Sequence, residues 1–309
     1  MPTAARAFEI FRQLFSRRSI WTVALYRLES EEKILHTVDK TPERFFGASG
    51  LRLGCGYPST TADPFLFVNS GRLYIFFEVK TDFQKGEIWA QSMGADGQWV
   101  DHGLVLAEKF HLSYPNVFTG TDGCIYMLPE TAASGKVWLY KAEEFPMTWR
   151  RERVLLDKPL SDPSIIIQEG AVLLLGTTRT DELMVHHASS LGAEFTTEGV
   201  LVTRNKAVSR NGGMPFTASG KQYRPAQNCE RFYGESLGIL EIESVSPTHY
   251  KESLVTAELY PIRPKWMELG YHHMSVAKFG GHYFVAIDGR GWDRYLNTLL
   301  LAWFRILGK

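Results

Sequence analysis

The sequence predicts an all-β fold, a five-bladed β-propeller with a short helix at each end. Three observations predict it. One short phrase returns five times: a polar, charged or small residue, often before Pro, then an apolar run, a Gly-centred turn and a second apolar run ending on a polar residue. The phrase recurs about every 50 residues, the period of a propeller blade. A further strand-like run follows each of the first four phrases and supplies the outer part of a blade.

In chain order, residues 1–18 carry Phe8, Ile10, Phe11, Leu14 and Phe15 as an apolar stripe beside Arg6, Arg12, Arg17 and Arg18, the pattern of an amphipathic helix. Ile20–Leu28 (IWTVALYRL) is a strand without a hairpin partner of its own. The phrases then read ADPFLFVNSGRLYIFFE (Ala62–Glu78), SYPNVFTGTDGCIYMLPE (Ser113–Glu130) and SDPSIIIQEGAVLLLGTT (Ser161–Thr178). Looser versions are GGMPFTASGKQYRPAQN (Gly212–Asn228) and HHMSVAKFGGHYFVAID (His272–Asp288). Aligned through Asp63, Tyr114, Asp162, Met214 and His273, each phrase is one hairpin. Third strands follow at Glu87–Met93, Lys136–Ala142, Glu182–Ser189 and Ser236–Ser244.

The fifth hairpin has no such follower. After it, Leu296, Leu299, Leu300, Trp303, Phe304 and Leu307 fall on one helical face flanked by Arg294, Arg305 and Lys309. The outer strands of the last blade must therefore come from elsewhere. Ile20–Leu28 is expected to join it, which closes the ring and removes two exposed sheet edges. The organisation expected is a helix over 1–18, a propeller over 19–290 and a helix over 291–309.

Composition limits the function. The 309 residues include 34 basic and 34 acidic ones, interspersed, for a net charge of zero. A nucleic-acid groove needs a surface of one sign, so nucleic acid is excluded as a partner. Cys55, Cys124 and Cys229 form no paired spacing and read as reduced thiols. The basic N-terminal stretch lacks the apolar core of a signal peptide, and no apolar run is long enough to span a bilayer. A cytoplasmic location is expected, with the basic, apolar-striped ends suited to peripheral contact with an anionic membrane.

In each hairpin the start of the first strand and the end of the second meet on one face. That face gathers Asp63 with Glu78, Tyr114 with Glu130, Asp162 with Thr177, Arg210 and Asn211 with Gln227 and Asn228, and His272 and His273 with Asp288. Paired carboxylates in a concave site suit chemistry at a sugar's anomeric carbon, where one shuttles a proton and another stabilises the developing cation. Asp63, Asp162, Glu130 and Glu78 are the catalytic candidates. Arg210 and Arg224 suit a phosphate or carboxylate. Tyr114, Tyr233 and Tyr271 suit stacking on a sugar, and His111 lies beside Tyr114 in the same phrase. Adjacent residues of a strand point to opposite faces, so only one of His272 and His273 is expected to enter the channel. No metal site and no cofactor are expected, since no zinc spacing, phosphate loop or dinucleotide motif is present.

The phrases HLSYP with YMLPE, KPLSDPSII, RNGG-x-PF, YRPAQNC with a following YG, and GYHH with AIDG resemble the N-terminal propeller of plant glucosamine inositolphosphorylceramide transferases. They are also similar to bacterial proteins of surface-polysaccharide synthesis. The resemblance covers roughly Ala62 to Gly289. It implies a sugar nucleotide or glycan as substrate and a lipid-linked acceptor at a membrane surface. In the plant proteins a separate C-terminal domain is the recognised glycosyltransferase, and this sequence is expected to lack it. A more distant similarity is to five-bladed glycosidases of family 43. It implies Asp63 as general base, Asp162 as the residue that tunes and positions, and Glu130 or Glu78 as general acid. The fourth blade departs from that pattern, with Arg210 and Asn211 where a carboxylate belongs. The expected activity is glycosyl transfer in polysaccharide or glycolipid synthesis; the alternatives are a family-43-like hydrolase and a non-catalytic sugar-binding module.

Overall fold

A computed structural model of the chain describes residues 19–39, 41–46, 60–80, 85–246 and 249–292. The helices expected over 1–18 and 291–309 lie outside these residues, except that Gly291 and Trp292 extend the last strand. Five antiparallel sheets are present. Blade one runs through Thr60–Asn69, Arg72–Lys80, Glu87–Gly94 and Trp99–Leu106. Blade two runs through Ser113–Thr119, Ile125–Glu130, Val137–Glu144 and Thr148–Leu156, and blade three through Ser161–Gln168, Ala171–Thr177, Leu183–Ala188 and Val200–Thr203. Each expected third strand falls where the sequence puts it.

Blade five is completed from the other end of the chain. Met274–Phe279 and His282–Trp292 form its hairpin, and Ser19–Leu28 pairs along the whole length of the second strand, from Ser19 opposite Trp292 to Leu28 opposite Tyr283. Arg44–Phe46, which no sequence signal marked, adds the outermost strand. Propeller closure by the early strand is thus as expected.

Blade four is irregular. Its innermost strand is split into Arg210–Asn211 and Phe216–Ala218, both paired to Lys221–Asn228, with Ser236–Ser246 and His249–Thr256 outside. Arg210 pairs with Gln227 as Ala62 pairs with Glu78, Ser113 with Glu130 and Ser161 with Thr177. The equivalent of Asp63, Tyr114 and Asp162 is therefore Asn211, not Met214, and the alignment through Met214 is displaced by the split. The break has a steric cause. The Gly212 carbonyl accepts from Met274 N at 2.8 Å, and a Cβ on Gly213, whose φ is +142°, would stand 2.0 Å from the Met274 carbonyl oxygen. The backbones of blades four and five meet too closely for a side chain.

Five apolar clusters occur among the described residues, one between each pair of neighbouring blades. Phe65, Tyr74 and Phe76 of blade one pack on Val117, Met127 and Tyr140 of blade two, while Leu66, Ile75 and Phe77 of blade one pack on Val23, Leu25 and Ala286 of blade five. Alternate residues of one strand thus serve two interfaces. This is why the inner strands read as continuous apolar runs rather than alternating ones. Between blades three and four the cluster is smaller, built on Ile166, Leu173, Leu175, Leu183, Val185 and Ile242.

Arg224 of blade four is fully buried and forms a two-pronged pair with Glu252, at 2.7 and 2.5 Å, with Tyr250 Oη donating to the same carboxylate. Two expected outcomes follow from this packing. Leu25→Ala should cost about 2–5 kcal/mol through the cavity it leaves in the closing strand, read as a lowered denaturant midpoint; an unchanged midpoint would place the closing strand outside the cooperative unit. Arg224→Met should cost about 3–5 kcal/mol by leaving Glu252 unpaired, and adding Glu252→Met should recover most of that loss.

Candidate active site at the propeller mouth

The polar ends of the hairpins meet around the axis, and a repeated backbone device holds them there. Asp63, Tyr114 and Asp162 have φ of 52°, 50° and 48°, in the left-handed region. Each precedes a proline, and each proline sits where the strand bulges: the register slips between Ala62 and Phe65, Ser113 and Asn116, and Ser161 and Ser164. Proline lacks the N–H that a regular ladder requires, so a bulge accommodates it. The left-handed turn is costly for a residue with a side chain, about 1–3 kcal/mol. It aims each freed N–H at a carboxylate of the preceding blade. Asp63 N donates to Asp288 Oδ2 at 3.1 Å, Tyr114 N to Asp63 Oδ2 at 3.1 Å, and Asp162 N to Glu130 Oε2 at 2.9 Å.

Blade four answers with side chains instead. Arg210 Nε donates to Asp162 Oδ2 over a short distance, Gln227 Nε2 donates to the same oxygen at 2.9 Å, and Asn211 Nδ2 donates to the Asp162 carbonyl at 2.8 Å. Arg210 also approaches Glu130, with Nη2 3.7 Å from Oε2. Arg224 was expected to bind substrate. Its guanidinium is taken by Glu252 and the Val208 carbonyl, and it reaches the mouth only through Asn211 Oδ1, at 3.2 Å. Asn228 caps the turn that follows its strand, accepting from Glu230 N at 3.0 Å.

In blade five, Asp288 is a hub. Its Oδ1 accepts from the backbone N–H groups of His272 and His273, at 3.0 and 2.9 Å, and its Oδ2 lies 2.6 Å from His272 Nδ1. The two histidines do not part to opposite faces. His272 Nε2 and His273 Nδ1 stand 3.7 and 3.6 Å from the same Asp63 Oδ1. The alternation rule fails because both residues precede the strand, which begins at Met274.

Of the expected stacking residues, Tyr114 and Tyr271 are fully buried. Tyr114 bonds Ser164 Oγ of the neighbouring blade at 2.7 Å and accepts from Gly213 N at 3.1 Å, while Tyr271 Oη accepts from Tyr260 N at 2.8 Å. Tyr233 alone of the three presents an open ring, with Arg210 5.0 Å above it. Trp21, which the sequence reading did not single out, stacks on His272 at 4.2 Å. The register of the closing strand, with Val23 opposite Asp288, carried that information. His111 lies at the rim: its Nδ1 accepts from Gly86 N at 2.8 Å and its Nε2 faces Glu78 Oε1 at 3.5 Å.

The carboxylates hold their protons differently. Burial alone would raise Asp63, yet the His273 and His272 imidazoles and Arg210 bring it down to about 2. Burial and the Asp162 charge push Glu130 up to about 8, and burial with the Asp63 charge pushes Glu78 well above the ordinary range. The mouth therefore pairs a fixed anion, Asp63, with Glu130, a carboxyl that keeps a proton at neutral pH.

Among the described residues, one group, Asp63, His272 and Asp288, brings candidate metal-ligand atoms within 4.8 Å of one another. His272 Nδ1 and Asp288 Oδ2 are 2.6 Å apart, closer than the separation of more than 3 Å between ligand atoms held about 2.0–2.2 Å from one ion in tetrahedral array.

Glu130 makes stability depend on pH. Its ordinary value is 4.5, and in the fold it is about 8. Between those values the native protein keeps a proton that the unfolded chain releases, so stability falls as pH rises through that window. Glu130→Gln keeps an acceptor for Asp162 N and should flatten the fall of Tm between pH 5 and 8.5, gaining on the wild type at the alkaline end. Parallel Tm curves would show that Glu130 carries no displaced proton.

The sequence matches the family described as "Glucosamine inositolphosphorylceramide transferase 1, N-terminal" over residues 51–290. It is 36% identical over 251 residues to glucosamine inositolphosphorylceramide transferase 1 of Oryza sativa subsp. indica, covering 76% of this chain and 34% of that protein. To the Arabidopsis thaliana protein of the same name it is 35% identical over 251 residues, covering 76% and 33%. The chain spans about a third of the length of these curated relatives. Among solved structures, the α-L-arabinofuranosidase CtGH43 of Clostridium thermocellum superposes with a TM-score of 0.53 at 14% identity, over 73% of this chain and 81% of that one. That likeness is one of fold. The match in sequence runs through blades one to four and the hairpin of blade five, and the chain belongs to the family of glucosamine inositolphosphorylceramide transferase 1 N-terminal domains.

Proposed function

We propose that the propeller mouth is a glycosyl-transfer site that acts on a sugar nucleotide or glycan in polysaccharide or glycolipid synthesis. The observation that carries this reading is the separation of proton affinities: Asp63 at about 2 and Glu130 at about 8, on neighbouring blades of one mouth. Carboxyls pushed apart in this way divide acid and electrostatic roles. Glu130 carries the proton for the leaving oxygen. Asp63 supplies the fixed charge that favours positive charge at the anomeric carbon. Arg210 bridges Asp162 and Glu130 at the opening and faces a donor's phosphate. The relatives' name, a transferase of an inositolphosphorylceramide, supports the sugar context and suggests a lipid acceptor. The described chain begins at Ser19, opposite Trp292, four residues beyond Asp288 on the mouth side. That edge of blade five is where a lipid-linked acceptor at a membrane surface would be presented.

A hydrolytic reading draws on the same Glu130 and Asp63. It is weakened by the fourth blade, where Arg210 and Asn211 stand in place of a carboxylate and Arg210 pairs with Asp162 of the third blade. A screen of sugar-nucleotide donors with the purified protein separates the cases. Transfer to an acceptor supports the proposal; release of free sugar from glycosides favours hydrolysis; binding without turnover sinks both. Asp63→Asn and Glu130→Gln should each lower the transfer rate by about 100- to 10,000-fold while circular dichroism stays unchanged. Near-wild-type rates in both variants would leave these carboxyls as structural ties only.

A further inference from the structure

Beyond the carboxylates, three residues form a chain from the buried hub to the rim. His272 Nδ1 lies 2.6 Å from Asp288 Oδ2, and its Nε2 is 2.7 Å from the Tyr233 hydroxyl. Asp288 and His272 are buried, and Trp21 stacked on the imidazole holds the ring in place. Tyr233 is 46% exposed and packs edge-on to His272, with ring centroids 5.0 Å apart. Gly234 makes this approach feasible: its φ is +69°, and a Cβ there would stand 2.6 Å from the Trp21 ring. One end of the chain is thus a sealed carboxylate and the other a tyrosine partly exposed at the mouth.

We propose that Asp288, His272 and Tyr233 are a proton relay, in which the Tyr233 hydroxyl touches an acceptor hydroxyl and removes its proton. The inference rests on the transfer reading above and adds to it the base that transfer requires. With its proton on Nδ1, beside the Asp288 carboxylate, the neutral imidazole leaves Nε2 free to accept from Tyr233. As the acceptor oxygen bonds to the anomeric carbon, its proton passes to the Tyr233 oxygen while Tyr233's own proton passes to His272 Nε2. The bond from the anomeric carbon to the leaving oxygen breaks, and that oxygen keeps the electron pair. His272 ends as an imidazolium against Asp288. Asp288 and His272 are positioning residues that act through Tyr233, by the logic of a serine–histidine–aspartate set. The charged groups facing His272 agree with a strengthened base. Burial opposes the imidazolium, but Asp288, Asp63 and the more distant Asp162 hold its pKa above the ordinary 6.5. Arg210 stands over Tyr233, and His273 is directed at Asp63.

The test uses the full chain and needs no sugar. An aryl sulfonyl fluoride forms an S–O bond with a tyrosine oxygen as its S–F bond breaks and fluoride leaves, with the phenol proton taken by the neighbouring base. Mass spectrometry locates and times the adduct. Labelling of Tyr233 should rise with pH through the titration of His272, followed by the NMR signals of its ring, well below the range of the phenol itself, which burial pushes well above its ordinary 10. His272→Gln should slow labelling by about 10-fold or more, Tyr233→Phe should abolish it at that position, and His249→Gln, on an outer strand, should leave it unchanged. A profile flat until the phenol itself ionises would overturn the relay, and this reading needs no variant to fold. Labelling of His272→Gln at the wild-type rate would overturn it as well. Labelling as expected without transfer from any donor would remove the transfer reading and keep the relay, whereas transfer undiminished in Tyr233→Phe would do the reverse.

Discussion

The structure depends on a set of bonds from strained backbone to carboxylate. Asp63, Tyr114 and Asp162 each adopt a left-handed turn, and each gives its N–H to an acidic side chain of the blade before it. A propeller's sheets pack through apolar faces that do not fix how far one blade slides on the next. These bonds do fix it, at the radius where the blades converge. The backbone strain is tolerated because a buried carboxylate without such donors would be worse off still.

The same bonds explain why the mouth is chemically uneven. Asp288 receives three backbone N–H groups and an imidazole, whereas Glu130 receives one N–H and sits next to the Asp162 charge. Blade four has no left-handed turn at the equivalent Asn211, and Arg210 and Gln227 supply the missing donors to Asp162 from their side chains. Their recruitment neutralises one carboxylate of the set. Glu130 and Asp63 are left with opposite protonation states. Structural ties and proton chemistry are therefore two uses of one arrangement.

Much of this was legible in the sequence. The hairpin phrases, their turns and the unpaired Ile20–Leu28 located the blades and their closure, because apolar runs and Gly turns are local signals. The Asp-Pro and Tyr-Pro pairs marked the strand starts that bulge. What escaped were contacts made by residues far apart in the chain. Glu252, the partner of Arg224, lies on an outer strand with no motif around it. Trp21 meets His272 only because the ring closes. The convergence of His272 and His273 depended on where the strand begins, one residue beyond the pair, a boundary that periodicity does not resolve. The split of blade four followed from backbone contact with blade five, which the two glycines hinted at without saying what approached them.

Closure by the early strand also sets an order of events during synthesis. Ser19 and Arg290, which touch through their side chains, are 271 residues apart. At about 5–20 residues per second, the first strand waits roughly 15 to 50 seconds for its partner. Over that interval its apolar residues, among them Val23, Leu25 and Tyr26, have only the short strand Arg44–Phe46 and the nearby Ile34 to pack against. Blades one to four can assemble as they emerge, but their two end faces stay uncovered until the last blade is made. The nascent chain is thus most open to wrong pairing, and most in need of a chaperone, just before the final hairpin leaves the ribosome.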